Sequence, residues 1–126
     1  MSFDWKLYIQ LADELIARQE TPNLQEAYFR SAISRSYYGV FCIARNLLVK
    51  KGFNVPRKDT HKFVREKYHE SQDNIERAIG TNLSRLLLER KSADYDDGPT
   101  IDINRAKTAQ QMAQRTMETL RNINTI

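Results

Sequence analysis

An all-α fold, an antiparallel bundle of four to five helices around a long second helix, is predicted by two features of this 126-residue sequence. Apolar residues recur at three- and four-residue steps along most of the chain, which is the period of a helix with one buried face. Only 4 glycines and 3 prolines interrupt this pattern, so few positions suit the tight turns of a β-sheet. We expect residues 1–126 to form a single helical domain, because a chain of this length supports one hydrophobic core.

The longest predicted helix runs from about residue 22 to residue 51 and ends at Gly52, a residue that tolerates a left-handed C-terminal conformation. Its core positions follow helical spacing: Ile33, Tyr37, Val40, Phe41, Ala44, Leu47 and Leu48. A second face carries Ala32, Ser36, Gly39 and Ile43, mostly small residues that let another backbone approach closely. We expect this face to contact either a helix of the same chain or a second subunit. A helix that is apolar on so many sides favours a homodimer.

Four further helices are predicted by the same spacing. The first, over about residues 4–18, has Leu7, Leu11, Leu15 and Arg18 down one side, flanked by Trp5 and Tyr8, and we expect its apolar side to be buried. A short third helix opens at Asp59 or Thr60 and carries Phe63, Val64 and Tyr68. The fourth, over about residues 73–95, turns inward Ile75, Ile79, Leu83, Leu86, Leu87 and Arg90. After a break at residues 96–99, the fifth spans about residues 102–123 with Ile103, Ala106, Ala113, Met117 and Leu120 inward.

Composition excludes several classes of protein. No apolar run approaches the roughly 20 residues that a transmembrane helix needs, and the chain does not begin like a secretion signal. We therefore expect a cytoplasmic protein with no membrane contact. Its single cysteine, Cys42, lies among apolar residues and is expected to be a buried, reduced thiol. A net charge of +4 is compatible with RNA or DNA as a partner without requiring either.

Most catalytic signatures are missing from the sequence. It has no glycine-rich phosphate loop, no cysteine pair, no His-Glu-x-x-His helix and only 2 histidines. We therefore expect neither a metal site nor a cofactor. His61 and His69 lie at the two ends of the predicted third helix, where hydrogen bonding to a helix terminus is a more common role than catalysis.

The end of the fourth helix concentrates both signs of charge beside a tyrosine. Arg90 and Asp94 are four residues apart and can form an ordinary helical ion pair. Alternatively, Arg90 presents its planar fork to a phosphate while Tyr95 stacks on a base or orients the group. Residues five apart are separated by roughly 140° around a helix. We therefore expect Arg90 and Tyr95 to converge only if the helix unwinds there or a second subunit completes the site.

Arg35 lies in the apolar second helix, so its guanidinium must find a partner or reach solvent. We favour an ion pair with Asp94 or Asp96; the alternative is an anion-binding residue open to a cleft. Tyr37 and Tyr38 are adjacent, so one is expected in the core and the other toward Arg35 or a groove. The candidate ligand- or phosphate-binding residues are therefore Arg35, Tyr38, Arg90, Asp94 and Tyr95. Arg90 and Tyr95 are also the catalytic candidates.

Two motifs carry a resemblance to a known family. Residues 34–41 read Ser-Arg-x-Tyr-Tyr-x-x-Phe in the second helix, and residues 90–95 read Arg-x-x-Ala-Asp-Tyr at the end of the fourth. Together with the helix order and the Thr60-His61 pair, they make the chain resemble the HEPN (higher eukaryotes and prokaryotes nucleotide-binding) domains, in particular the small stand-alone prokaryotic branch. The resemblance implies an all-α bundle that is usually dimeric and is often paired with a minimal nucleotidyltransferase in a toxin–antitoxin or defence system.

The resemblance also implies an activity that this sequence matches only in part. Many HEPN proteins are metal-independent ribonucleases with an Arg-x(4–6)-His motif, but here Tyr95 stands where the histidine is expected. Our leading interpretation is a protein that binds a nucleotidyltransferase partner, and RNA or a nucleotide through Arg35, Arg90 and Tyr95. One alternative is a ribonuclease toxin with a diverged Arg-x4-Tyr site, in which Tyr95 or a histidine from elsewhere substitutes. The other is a purely structural dimer module.

Overall fold

The computed structural model describes residues 2–124, which form five α-helices and no strand. They are α1 (Lys6–Ala17), α2 (Gln25–Lys50), α3 (Thr60–His69), α4 (Asn74–Tyr95) and α5 (Ile103–Asn124). A 3₁₀ turn at Pro22–Leu24 leads into α2. The predicted all-α class and the long second helix are confirmed. Within residues 2–124, none of the helices combines the length and the hydropathy that crossing a membrane requires.

The bundle is organised around α2, which packs against α1, α4 and α5. A side chain near the start of α2, that of Arg30, reaches the end of α4, so these two helices run antiparallel. At the same time α5 runs in the same direction as α2. Glu26 accepts a hydrogen bond from Ile101 just before α5, and Lys50 donates one to Asn124 at its end. The short helix α3 packs mainly on α4.

The core of the bundle is centred on α2, which is buried over its middle turns. Its buried residues are Phe29, Ala32, Ile33, Ser34, Ser36, Tyr37, Gly39, Val40, Phe41, Cys42, Ala44, Leu47 and Leu48. The small face of this helix contacts α1 of the same chain: a Cβ atom on Gly39 would lie 2.8 Å from Ile9 Cγ1 and 3.1 Å from the Trp5 carbonyl oxygen. Of the two contacts expected for this small face, a helix of the same chain or a second subunit, the structure shows the contact with a helix of the same chain.

The prediction of which face of α1 is buried is wrong. Leu7 and Leu11 are 45% and 40% exposed, whereas the buried residues of this helix are Ile9, Ala12 and Ile16. Both sets have helical spacing, so periodicity alone cannot choose between them. Small Ala12 and the flat surface around Gly39 allow a closer approach than the leucine side does, and that fit places Ile9 inward. On α4, Ile75 is also exposed, in contrast to the prediction, because it lies in the first turn of the helix.

The ends of α2 and α3 are set by local backbone features. Gly52 has φ +96°, the left-handed conformation expected where α2 stops. Asp59 also has a left-handed φ of 54°, and α3 begins at the next residue. The Thr60 hydroxyl donates to the Pro56 carbonyl at 2.7 Å, which fixes the turn into α3. At the far end of α3, the buried Tyr68 hydroxyl donates to the Ala44 carbonyl of α2 at 2.8 Å.

Replacing Gly39 by alanine should weaken the α1–α2 contact. The added methyl group meets the Trp5 carbonyl, which is backbone and cannot move aside cheaply. We expect Gly39→Ala to lower the free energy of unfolding by about 1–2 kcal/mol, or the melting temperature by roughly 4 °C for each kcal/mol. Gly98→Ala is the matched control, since nothing lies within 4 Å of the added atom there. Equal melting curves for the two variants would contradict this assignment.

Candidate functional site

An open cleft of about 630 Å³ lies where α2, α3 and α4 meet, next to the loop before α3. It is lined by Tyr38, Phe41, Cys42, Arg45, Arg57, Asp59, Thr60, His61, Lys62, Arg65, Leu87, Arg90 and Lys91. The residues from α2 have the spacing of one helical face, which explains how a largely buried helix reaches this surface. Two of the predicted site residues, Tyr38 and Arg90, line the cleft.

The cleft is strongly basic. Six of its lining residues are arginine or lysine, and Asp59 is the one carboxylate among them. Two of the six form helical ion pairs, Lys62 with Glu66 at 4.0 Å and Arg90 with Asp94 at 2.8 Å. The remaining cations, Arg45, Arg57, Arg65 and Lys91, form no ion pair within residues 2–124. A concave surface with one sign of charge concentrates oppositely charged ligands, so this cleft attracts polyanions.

His61 lies in this cleft, held between aromatic residues of α2. Its ring stacks on Phe41 with centroids 4.0 Å apart, and its Nδ1 lies 2.5 Å from the Tyr37 hydroxyl. Burial and the positive charges of Arg90, Arg65 and Arg45 lower the pKa of His61 below its usual range. Burial also raises the pKa of Tyr37, so this phenol keeps its proton. The imidazole is therefore neutral at pH 7, with Nε2 left for a ligand.

The end of α4 joins the cleft through Arg90. Its Nε donates to Asp94 at 2.8 Å, its Nη2 donates to the Tyr95 hydroxyl at 3.3 Å, and its guanidinium carbon lies 5.0 Å from the Tyr38 ring centroid. The predicted i,i+4 ion pair is confirmed. The expectation that Arg90 and Tyr95 meet only if the helix unwinds or a second subunit contributes is wrong. Both belong to the continuous helix α4, and the long arginine side chain spans the angle between them.

Arg35 occupies a different position from the one favoured by the sequence. It forms no ion pair with Asp94 or Asp96 in the described part of the chain. Asp94 is held instead by Arg90 and by the Ser34 hydroxyl, which donates to it at 3.3 Å. The Arg35 guanidinium carbon lies over the rings of Tyr8 and Tyr38, at 4.9 and 5.8 Å from their centroids. The prediction for the paired tyrosines is confirmed, because Tyr37 is fully buried and Tyr38 faces Arg35 and Arg90.

The residue that ties α2 to the end of α4 is Arg30, which sequence reasoning did not single out. Its Nε donates to Glu26, and its two terminal nitrogens donate to four carbonyl oxygens at 2.8–3.3 Å. These acceptors belong to Ser92, Ala93, Asp96 and Pro99. The Ile101 backbone and Arg30 both lower the pKa of Glu26. The signal in the sequence was a Glu-x-x-x-Arg pair at the start of the longest helix.

Metal and thiol chemistry have little support in this fold. Among residues 2–124, no three histidine, cysteine, aspartate or glutamate side chains converge in a way that could hold a metal ion. Cys42 is buried, and burial raises the pKa of its thiol, which disfavours the reactive thiolate. The chemistry that the cleft side chains offer is therefore that of arginine, lysine, tyrosine and the His61 imidazole.

The chain matches a recognised class of domain. A family model described as the HEPN domain matches residues 10–123, nearly the whole chain. The protein therefore belongs to the HEPN family, as its two motifs predicted. A search of curated proteins found no match.

Removing the Arg30 side-chain contacts should destabilise the junction of α2 and α4. Arg30→Met keeps the apolar stem but leaves four carbonyl oxygens without this donor. We expect a loss of about 2 kcal/mol in the free energy of unfolding, measured by urea denaturation. Arg105→Met is the control. Arg105 pairs with Glu89 and donates a long hydrogen bond of 3.4 Å to the Ser92 hydroxyl, and the side chains of Arg105 and Glu89 are both more than a third exposed, so a loss of less than about 1 kcal/mol is expected. Similar losses in both variants would contradict the role given to Arg30.

Proposed function

We propose that this HEPN protein binds single-stranded RNA through the cleft between α2, α3 and α4. The observation that carries this proposal is the excess of cations in the cleft, six against one carboxylate, next to the aromatic side chains of Tyr38, Phe41 and His61. Membership of the HEPN family supports it, since the family points to a nucleotide- or RNA-related function.

Both the cationic and the aromatic side chains of the cleft suit a single strand of nucleic acid. Arginine and lysine side chains that neutralise phosphates release counterions, which drives sequence-independent binding. Aromatic rings next to such a groove provide surfaces on which unpaired bases stack. Tyr38 is only partly buried, so its edge is accessible from the cleft, while Phe41 lies beneath His61. A base stacked near Tyr38 would leave its phosphates close to Arg45, Arg90 and Lys91.

Neutralising two cleft cations should weaken RNA binding in a salt-dependent way. The double variant Arg57→Gln/Lys91→Gln changes two exposed side chains that form no hydrogen bond or ion pair within residues 2–124, so the fold should be unaffected. We expect the slope of log K against log salt to fall by about 0.7 for each phosphate that the variant no longer neutralises. Fluorescence anisotropy with a labelled single-stranded RNA measures it.

The control for this experiment is Lys107→Gln/Arg115→Gln, which removes the same charge from exposed positions of α5 outside the cleft. Its salt slope should match that of the wild type. An equal decrease in both double variants would show attraction by net charge rather than by the cleft.

A ribonuclease is the second candidate function, and the position of His61 favours it. The neutral imidazole lies in the same cleft as Arg90, whose charge reaches it strongly enough to lower its pKa. For this role the Tyr37 hydroxyl has to turn its proton away from Nδ1 and accept Nδ1–H instead. Nε2 then carries a free lone pair and can accept the proton of a ribose 2′-hydroxyl. That oxygen then bonds to the adjacent phosphorus, the P–O5′ bond breaks, and the leaving oxygen takes a proton from water. Arg90 would stabilise the charge on the phosphate oxygens.

If the protein cleaves RNA, cleavage should persist in EDTA and should be abolished by both Arg90→Ala and His61→Ala. Tyr95→Phe should retain activity, because His61 and not Tyr95 is the base in this mechanism. Since the pKa of His61 lies below its usual value of 6.5, the rate should decline only as the pH falls below about 6.5. Loss of activity in Tyr95→Phe but not in His61→Ala would assign the reaction to Tyr95 instead.

The family resemblance also leads us to propose a minimal nucleotidyltransferase partner, a toxin–antitoxin or defence role, a homodimer and a cytoplasmic location. One sequence-based reason for a homodimer, an uncovered second helix, does not apply because α1, α4 and α5 cover α2. The homodimer proposal therefore depends on the fact that HEPN domains commonly dimerise. Light scattering at a protein concentration of tens of micromolar tests it. A structural dimer module without a ligand would leave the basic cleft without a role.

Tyr95 is the residue we expect such a partner to modify. It is 69% exposed, and its hydroxyl lies beside Arg90. The hydroxyl oxygen would attack the α-phosphorus of a nucleoside triphosphate, and pyrophosphate would leave. Co-expression with a minimal nucleotidyltransferase of the proposed kind should add the mass of a nucleotidyl group, and Tyr95→Phe should remove it. An unchanged mass of the wild-type protein, or an increase that survives Tyr95→Phe, would exclude Tyr95 as the acceptor.

A further inference from the structure

Arg35 has an arrangement unlike that of the other two arginines of α2. Arg30 donates to four carbonyl oxygens, and Arg45 donates to Asn46. Arg35 forms no hydrogen bond and no ion pair within residues 2–124, although it is partly buried. Its contacts are with the rings of Tyr8 and Tyr38. The guanidinium is therefore positioned by aromatic rings while its N–H groups lack an acceptor among the described residues.

Such a guanidinium is preorganised to bind an anion. The cation–π contacts with Tyr8 and Tyr38 hold the guanidinium without using its N–H groups, and these donors match the oxygens of a phosphate. Because the side chain is already held, little conformational entropy is lost when the phosphate binds. A partly buried cation without a counterion also gains more from pairing than an exposed lysine does.

Tyr38 connects Arg35 to the cleft. The guanidinium carbons of Arg35 and Arg90 lie 5.8 and 5.0 Å from the centroid of the same Tyr38 ring, so they are at most 10.8 Å apart. Continuing outward, Tyr8 contacts Arg35 and Tyr95 contacts Arg90. Arginine and tyrosine thus alternate in one ladder of five side chains, contributed by α1, α2 and α4. A short oligonucleotide can reach both arginines at once.

We propose that Arg35 forms a second phosphate-binding subsite, separate from the cleft, and that the ligand is an oligonucleotide spanning both rather than a mononucleotide. This inference depends on the proposed RNA-binding function. It adds to that function a minimum length for the RNA ligand. It also adds the path of the bound strand, which runs from the cleft across Tyr38 toward α1. Tyr8 and Tyr38 act as positioning residues that keep the Arg35 fork facing outward.

The test compares two ligands on the purified full chain in EDTA: adenosine 5′-monophosphate, and a 2′-O-methyl RNA hexamer that cannot be cleaved by 2′-hydroxyl attack. Arg35→Gln should weaken hexamer binding roughly tenfold, the effect of removing one charge-assisted hydrogen bond, and should lower the salt slope by about 0.7. Binding of the mononucleotide, which occupies the cleft alone, should be unchanged. Arg115→Gln on α5 is the charge-matched control.

Arg35→Lys distinguishes the contribution of the planar guanidinium from that of the positive charge. It also replaces Arg35→Gln as the test variant if the glutamine variant is unstable. It should weaken hexamer binding while keeping the wild-type salt slope, since a lysine retains the charge but not the planar fork. Melting curves of both variants show whether the weaker binding comes from the α1–α2 contact instead.

The outcomes distinguish this inference from the proposed function. If Arg35→Gln leaves hexamer binding intact while Arg57→Gln/Lys91→Gln weakens it, the cleft binds RNA and the subsite is excluded. If Arg35→Gln weakens both ligands equally, there is one composite site, and the separate subsite is excluded as well. If the wild-type protein does not bind the hexamer, both proposals fail.

Discussion

The burial of α2 by α1, α4 and α5 is the constraint on which the rest of the structure depends. Over the middle turns of this helix, residues 32–45, it leaves only Arg35, Tyr38, Ile43 and Arg45 partly exposed. Any exposed polar side chain that these middle turns contribute to ligand binding must therefore come from Arg35, Tyr38 or Arg45. Because these turns are rigid and helical, the spacing of their side chains is fixed before any ligand arrives.

Helical periodicity predicted the number, order and approximate limits of the helices, because each helix has an apolar face to bury. It did not predict which side of α1 faces inward, since the Leu7–Leu11 side and the Ile9–Ala12 side have the same period. The choice depends on the fit to the surface around Gly39, and that fit is a property of two helices together. One-dimensional patterns contain no such information.

The candidate site was predictable only in part, for a related reason. Tyr38, Arg90, Asp94 and Tyr95 do lie together, and the motif residues pointed to them. The cleft itself depends on how α3 docks, which brings His61 beside Phe41 and within reach of the charge of Arg90. The reach of long side chains was also underestimated, as the Arg90–Tyr95 contact shows.

The Arg30 contacts have an electrostatic consequence for the neighbouring site. The C-terminal end of an α-helix carries a partial negative charge from its unsatisfied carbonyl groups. The last turn of α4 contains Ser92 and Ala93 and lies beside Arg90 and Tyr95, so its carbonyl groups would repel a phosphate there. Arg30 donates hydrogen bonds to those carbonyls from the side of α2, while its own charge is paired with Glu26. These hydrogen bonds satisfy carbonyl groups at the C-terminal end of α4 and reduce the repulsion that they would exert on an anion beside Arg90.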